Sequence, residues 1–162
     1  DKIKTSLKKY ANLEDYREDL IVTDYLGEQE LYGLHRACDC FVMPSYGEAW
    51  SIPAFDAMGF GKTPICSNTG GMADYIGDSG ILIDGRWEPV SGMTDTFADL
   101  FTAEEDWYSV DVNQLRKAMR KIYTMKSSEQ EEYSKMKRNG LVQAQKYSHE
   151  NIGKLIKELL NE

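Results

Sequence analysis

The feature that most constrains the fold is an alternation of short apolar runs with helix-like segments between residues 28 and 84. The apolar runs are CFVMPS, TPICSN and GILID, and the segments that separate them show helical spacing and end in glycine-rich turns. Short buried strands that alternate with helices form parallel sheets with helices on both faces. The pattern therefore predicts an α/β fold with a doubly wound parallel sheet.

The chain has 162 residues, which suits a single domain with one sizeable core. We divide it into an α/β core at 1–84, a long irregular loop at 85–106, and C-terminal helices at 107–162. The core begins with a predicted helix at Ile3–Leu13. A β-branched run at Leu20–Gly27 predicts a buried strand.

Three polar residues predict the helix starts of the tail. Asp111, Ser128 and Ser148 each precede a segment with apolar residues at helical spacing, and each is a suitable N-cap residue. The last of these segments carries Ile152, Leu155, Ile156 and Leu159. We expect three helices there, and in the second of them we expect Tyr133 and Met136 to face inward.

Composition excludes several classes of function. The net charge of -8 and the pI near 4.9 argue against a general nucleic-acid or anionic-membrane surface, because phosphate backbones are bound by fields of Lys and Arg. Any contact with phosphate must therefore involve a small group of donors at one site rather than an extended basic surface. The apolar runs are too short to span a bilayer, and we expect a cytoplasmic location.

Three cysteines, Cys38, Cys40 and Cys66, give no even disulfide framework. Because they lie in or beside apolar, strand-like segments, we expect reduced thiols in the core. The alternative is a metal site formed by Cys38, Cys40 and His35, although no second pair of ligands supports it.

One strand-to-helix crossing has unusual chemistry. The strand CFVMPS runs through Gly47, Glu48, Ala49 and Trp50 into a helix that opens near Ser51, with Pro53 in its first turn. A helix N-terminus has unpaired N–H groups and a partial positive charge, which favour a phosphate. An acidic protein could hold a diphosphate in this way without a basic patch.

Two carboxylates flank this terminus. Asp56 is expected on the apolar face of the helix, and a buried carboxylate is costly unless something hydrogen-bonds it. It lies about 5 to 8 Å along the helix from the terminus, the distance between a nucleotide's phosphates and its ribose. Glu48, which precedes the turn, would reach the end of a diphosphate opposite the ribose, where a sugar would be attached.

A second crossing brings Thr69, Gly70 and Gly71 to another helix start, where glycines would let backbone N–H groups approach an anion. Each feature has an alternative explanation. Glu48 can be a solvated loop acid, Gly70 and Gly71 a plain turn, and Trp50 a packing residue.

These residues resemble a known family. The segment ELYGLHRACDCFVMPSYGEAWSIPAFDAMGFGKTPICSNTGGMADYIGDSGILID is similar to the donor-binding half of retaining GT-B glycosyltransferases, the large group-1 (family four) set. That set carries a Pro-Ser pair, a Glu-Gly-Phe-Gly loop with a second Glu eight positions after the first, a Gly-x-Pro-Val segment and a Gly-Gly turn. The similarity covers about residues 20–84.

The resemblance implies roles for individual residues. Glu48 would contact hydroxyls of the donor sugar and serve as the catalytic residue, and Asp56 would bind the nucleotide ribose. The backbone from Gly47 to Ile52, together with Thr69, Gly70 and Gly71, would meet the sugar and the diphosphate. The sequence departs from the pattern where Ala49 and Ser51 replace glycines, Trp50 replaces Phe, and Asp56 replaces Glu. It also has one residue more between Gly61 and Pro64.

The resemblance also implies a reaction: transfer of a hexosyl group from a nucleotide-diphosphate sugar to an acceptor, with retention. The acceptor would be a glycan, a lipid or a small molecule. No cofactor and no metal are expected, since no Asp-x-Asp cluster adjoins the site. We expect the chain to be part of a two-domain enzyme, without the family's acceptor-binding domain and the first strands of its donor half, and therefore expect it to be inactive in isolation.

Two alternatives remain from the sequence. One is a nucleotide-sugar epimerase of the same architecture, although His35 and His149 are poorly placed for its acid/base pair. The other is a nucleotide-sugar binding module that keeps the fold without catalysis.

Overall fold

The computed structural model describes residues 19–92, 101 and 104–161 of the chain. The predicted helix at Ile3–Leu13 lies outside them. In chain order the elements are α1 (Glu28–Ala37), β1 (Cys40–Met43), α2 (Ile52–Gly59), β2 (Thr63–Ser67), α3 (Gly71–Tyr75), a short 3-10 turn (Gly77–Ser79), β3 (Ile81–Ile83), β4 (Gly85–Pro89), β5 (Asp106–Val110), α4 (Val112–Ser128), α5 (Gln130–Lys146) and α6 (His149–Leu159).

The sheet confirms the predicted fold class. Strands β1, β2 and β3 lie side by side in that order and all pair in parallel. Parallel neighbours require crossover connections, and α2 and α3 supply them. The structure is therefore a Rossmann-like α/β fold followed by helices.

Side chains of the strands alternate between two apolar clusters, one on each face of the sheet. On one face Cys66, Phe41 and Leu82 pack with residues of α2 and α3. On the other face Ile65 and Ile83 pack with α4 and α5. Because successive residues of a strand point to opposite faces, this alternation is what a doubly wound sheet requires.

Two of the three predicted caps of the tail are confirmed. The carboxylate of Asp111 accepts hydrogen bonds from the N–H groups of Asn113 and Gln114 at the start of α4. The hydroxyl of Ser148 accepts one from Asn151 at the start of α6. Ser128 is not a cap, because it is the last residue of α4 and its hydroxyl donates back to the carbonyl of Thr124.

The last helix forms as predicted, but its apolar side chains are not buried. Leu155, Ile156 and Leu159 are exposed by half or more. Nothing among the described residues covers them. None of the helices in this part of the chain is long and apolar enough to cross a membrane.

The predicted strand at Leu20–Gly27 is wrong. These residues form no strand, and Leu20 and Tyr25 are 84% and 96% exposed. Strand β1, which follows them in the chain, pairs only with β2 among the described residues. An apolar run without a neighbouring strand leaves its backbone to hydrogen-bond with water.

The predicted irregular loop at 85–106 is also wrong in part. Gly85–Pro89 and Asp106–Val110 pair as an antiparallel two-stranded sheet, so β5 occupies the start of the region predicted to be helical. The aromatic pair Trp87 and Tyr108 faces each other across it, with ring centroids 5.3 Å apart. We refer to β4 and β5 as the hairpin.

Candidate functional site

The candidate site lies at the carboxyl ends of the parallel strands. There the hydroxyl of Ser67 donates to the carbonyl of Ser45 at 2.6 Å, which links the ends of β2 and β1. The amide of Asn68 donates to the carboxylate of Asp84 at 2.8 Å, which links the ends of β2 and β3. In open α/β sheets this edge is where ligands bind.

Helix α2 begins at this edge with an unusual backbone conformation. Ser51, the N-cap residue, has φ 62° and ψ 74°, and it is the one non-glycine residue with positive φ in the described part of the chain. Its hydroxyl does not cap the helix but donates to the sulfur of Met43 at 3.1 Å. The hydroxyl of Tyr75 donates to the carbonyl of Ser51 at 3.0 Å, which fixes this turn.

The first turn of α2 presents few donors. Ile52 is 66% exposed, and no acceptor for its N–H occurs among the described residues. Pro53 has no N–H, and Ala54 is fully buried. The terminus can therefore offer an anion the N–H of Ile52 and the positive end of the helix dipole.

Both predicted acids lie near this terminus. Glu48 is partly buried, and its carboxylate accepts a hydrogen bond of 3.4 Å from the hydroxyl of Ser45. Asp56 is only partly buried, so the expectation of a carboxylate hidden in the apolar face is wrong. The inward side of the short helix is taken up by Ala54, Ala57 and Met58.

Tyr75 links the two acids electrostatically. Its side chain is fully buried, and burial raises the pKa of its hydroxyl far above 10.0. The negative charges of Glu48 and Asp56 raise this pKa further, although the hydrogen bond to Ser51 opposes the shift.

Burial also raises the pKa of the Cys66 thiol to about 12. A hydrogen bond with the backbone of Met43 lowers it, and the charge of Glu48 raises it further. Cys66 is therefore a protonated core thiol, as the sequence predicted. Cys40 is half-buried, whereas Cys38 is exposed rather than in the core.

The Gly70–Gly71 turn packs directly on the Glu48 loop. Gly70 has φ 57°, and a Cβ there would lie 1.9 Å from the carbonyl oxygen of Glu48. The N–H of Gly71 donates to the carbonyl of Ala49 at 2.9 Å. This N–H is engaged by the protein, so the expectation that it faces an anion is not met.

The remaining predicted site residues divide between surface and packing positions. Gly47 and Ala49 are exposed, and Thr69 is partly buried beside the turn. Trp50 packs its ring among Phe55, Tyr75 and Tyr147, with centroids 4.7 to 5.7 Å apart. Its side chain is a packing element, which leaves only its backbone for a ligand.

The alternative metal site is not formed. Among the described residues no group of three or more His, Cys, Asp or Glu side chains could hold a metal ion. The imidazole of His35 instead stacks on Phe60 at 5.1 Å, and it is the buried residue of α1. Leu31 in the same helix and Cys38 at its end are exposed.

The hairpin contributes residues that the sequence analysis missed. The N–H of Tyr108 donates to the carbonyl of Tyr46 at 2.8 Å, and the ring of Trp107 stacks on that of Tyr46 at 4.2 Å. Tyr46 lies two positions before Glu48. The density of aromatic and β-branched residues in Trp107–Val110 was a usable signal for a strand.

Fold and site together define a class: a Rossmann-like α/β domain with an acid-flanked helix terminus at the carboxyl edge of its sheet. Comparison with known proteins identifies the family. The sequence pattern of the family described as "Glycosyl transferases group 1" matches residues 2–121. The chain belongs to this family of glycosyltransferases.

Individual relatives agree with this assignment. A D-inositol 3-phosphate glycosyltransferase of Paenarthrobacter aurescens (strain TC1) is 30% identical over 109 residues, which are 60% of this chain and 26% of the relative. The O-antigen chain mannosyltransferase B of Escherichia coli is 33% identical over 60 residues, which are 37% of this chain and 16% of the relative. The serotype-specific mannosyltransferase WbdA of Escherichia coli is 28% identical over 139 residues, which are 86% of this chain and 14% of the relative.

Proposed function

We propose that this chain is the donor-binding part of a retaining glycosyltransferase that takes a hexosyl group from a nucleotide-diphosphate sugar. The observation that carries the proposal is the start of α2 at the carboxyl edge of the sheet, where the exposed Ile52 N–H has no acceptor among the described residues. Glu48 lies in the loop before this terminus and Asp56 about one turn into the helix. Two acids on either side of a helix terminus suit a ligand with hydroxyl-rich rings on either side of a diphosphate.

In this proposal each group has one task. Glu48 accepts hydrogen bonds from hydroxyls of the donor sugar, and Asp56 accepts them from the ribose. The N–H of Ile52 and the dipole of α2 stabilise the charge that develops on the leaving diphosphate. The rate enhancement then arises from positioning and from charge stabilisation.

Further positive charge must come from outside the candidate site. Lys62 donates to the carbonyl of Arg36 at 2.9 Å, and Arg86 pairs with Glu88 at 3.1 Å. The matched regions span 26% or less of the relatives named above. We therefore assign the additional cations for the diphosphate to a longer protein that contains this chain.

The donor is the first thing to test. Two of the relatives named above are mannosyltransferases. A titration of the full-length protein with GDP, UDP, GDP-mannose and UDP-glucose should show binding of at least one nucleotide. Failure of all four to bind would overturn the proposed donor site.

The role of Glu48 is tested by Glu48→Gln in the full-length enzyme. This change keeps the size of the side chain but removes the charge, and it should lower kcat by about 100-fold or more, the scale of a lost group that acts in the transition state. The matched control is Glu131→Gln, an exposed acid in the first turn of α5. An unchanged rate with Glu48→Gln would remove Glu48 from the mechanism.

Asp56→Asn should act on the donor rather than on the chemical step. Loss of an acceptor for the ribose hydroxyls raises the KM for the donor by about 10-fold, with kcat less affected.

The retaining outcome is tested separately. NMR of the initial product of the wild-type reaction gives the anomeric configuration of the transferred sugar directly. An inverted product would exclude a retaining reaction.

A further inference from the structure

A cavity of about 560 Å³ lies between the hairpin and the Glu48 loop. It is lined by Tyr46, Gly47, Trp87, Val90 and Trp107, with Glu105 and Asp106 also in its wall. Its size is within the range of pockets that bind small molecules. Gly47 is the residue before Glu48, so the cavity adjoins the proposed position of the donor sugar.

The chemistry of the lining favours a neutral sugar ring. Trp87 is 62% exposed and Tyr46 is 51% exposed, so two aromatic side chains remain accessible after the hairpin has packed. One face of a pyranose carries mainly C–H bonds and stacks on aromatic rings, while its hydroxyls donate to carboxylates. The wall has two acids and no Lys or Arg among the described residues that line it, which disfavours an anionic ligand.

The position of the cavity is fixed by the fold. The backbone hydrogen bond from Tyr108 to Tyr46 and the stacking of Trp107 on Tyr46 hold the hairpin against the Glu48 loop. The hydrogen bond from the N–H of Val90 to the carbonyl of Glu105, at 2.9 Å, extends the pairing of the two strands to the cavity wall. Both sides of the cavity thus rest on hydrogen-bonded backbone.

We propose that this cavity is an acceptor subsite that binds a neutral pyranose ring by stacking on Trp87. This inference rests on the proposed function, because Glu48 must hold the donor sugar for the neighbouring cavity to receive the acceptor. It narrows the acceptor to a saccharide, or to a glycoconjugate whose receiving end is a sugar.

The test measures binding of methyl α-D-mannopyranoside and methyl β-D-glucopyranoside to the full-length protein by saturation-transfer NMR. At least one of them should bind, and mannose 6-phosphate should bind more weakly than the mannoside because of the acidic wall. Trp87→Ala should weaken saccharide binding by about tenfold, the scale of one aromatic contact. Trp87→Phe, which keeps an aromatic face, should retain most of the binding.

Tyr123→Ala is the matched control, because Tyr123 is an aromatic residue on α4 that is 75% exposed and does not line the cavity. It should leave saccharide binding unchanged. Saturating nucleotide sugar should also leave saccharide binding in place, since the two sites are adjacent and distinct. Displacement of the saccharide by the nucleotide sugar would make the cavity part of the donor site and overturn the proposal.

Two further outcomes separate this proposal from the proposed function. Binding of n-octanol without binding of either glycoside would make the cavity an alkyl site and overturn the acceptor subsite, while nucleotide binding would stand. Saccharide binding that depends on Trp87, without binding of any nucleotide, would overturn the donor site and with it the acceptor role. In an active enzyme Trp87→Ala should raise the KM for the acceptor and leave the KM for the donor unchanged.

Discussion

Ser51 occupies a conformation that suits glycine. Its φ of 62° is in the left-handed region, where a side chain costs about 1–2 kcal/mol. The group-1 pattern has glycine at this position, and the positive φ of Ser51 gives a physical reason for that glycine. The serine hydroxyl offsets part of the cost by donating to the sulfur of Met43.

Ser51→Gly should therefore stabilise the protein. Relief of the left-handed strain exceeds the loss of a weak O–H···S contact and the added entropy of the unfolded chain, for a net gain of up to about 1 kcal/mol. Urea unfolding measures it as a higher midpoint. Ser51→Ala keeps the strain and loses the hydroxyl, so it should be less stable than the wild type, and the reverse order would contradict the argument.

Gly70 is constrained by space as well as by conformation. Gly70→Ala would place a methyl group 1.9 Å from the Glu48 carbonyl oxygen, so the two loops must separate. We expect a loss of stability of about 2–4 kcal/mol and weaker binding of nucleotide, because the same shift moves Glu48.

Gly77→Ala is the control for conformation alone. Gly77 has φ 45°, and a Cβ there would have no neighbour within 4 Å among the described residues. It should cost about 1 kcal/mol and leave nucleotide binding unchanged. Equal effects of the two substitutions would show that the contact between the loops does not matter.

At the scale of elements, the sequence predicted those whose signal is local. The three strands of the parallel sheet, helix α2 with Pro53 in its first turn, and the caps at Asp111 and Ser148 follow from apolar runs and capping residues. The run at Leu20–Gly27 is apolar and β-branched like the strands of the sheet, but no strand lies beside it. The composition of a segment does not show whether a neighbouring strand is present to pair with it. Ser128 lost its predicted role because its hydroxyl bonds within the preceding helix.

The hairpin was missed because its strands are separated by residues 90–105, which carry turn-like and polar residues. The hairpin is positioned by two non-local contacts. These are the stacking of Trp107 on Tyr46 and the hydrogen bond from the N–H of Tyr108 to the carbonyl of Tyr46. No spacing along the chain reveals such a contact. The cavity beside Gly47 could therefore not be predicted either.

Trp107→Ala should loosen the hairpin. It removes the stacking on Tyr46 and the hydrogen bond from the indole N–H to Glu88, and it should cost about 1–3 kcal/mol. The specific readout is amide hydrogen exchange of Tyr108, which should become faster as its bond to Tyr46 opens more often. Tyr123→Ala is the control, and faster exchange in both variants would point to a global effect instead.

At the scale of the whole molecule, β2 joins the two apolar clusters and the site. Ile65 faces α4 and α5, Cys66 faces α2 and α3, and Ser67 bonds to the end of β1. The sequence could predict that Glu48 and Asp56 flank one helix terminus, because both lie near it in the chain. It could not predict that the hydroxyl of Tyr75 donates to the carbonyl of Ser51, or that the N–H of Gly71 donates to the carbonyl of Ala49, since these contacts join separate crossovers.

The burial of Cys66 makes the free energy of unfolding depend on pH in the alkaline range. Folding raises the pKa of this thiol from an ordinary 9.0 to about 12, so below pH 9 both states keep the proton and the contribution to stability is complete. Between these values the unfolded chain loses the proton while the folded protein retains it. The free energy of unfolding should fall by up to about 1.4 kcal/mol per pH unit in that window.

Urea midpoints at pH 8, 9 and 10 test this prediction with Cys66→Ala. The variant is less stable at every pH because a buried side chain has been truncated, but its stability should decline less steeply with pH. The stability of Cys66→Ala should still decline somewhat with pH, since burial also raises the pKa of Cys40 and of Tyr75. An equal slope in Cys66→Ala and the wild type would mean that the thiol in β2 titrates as freely in the folded protein as in the unfolded chain.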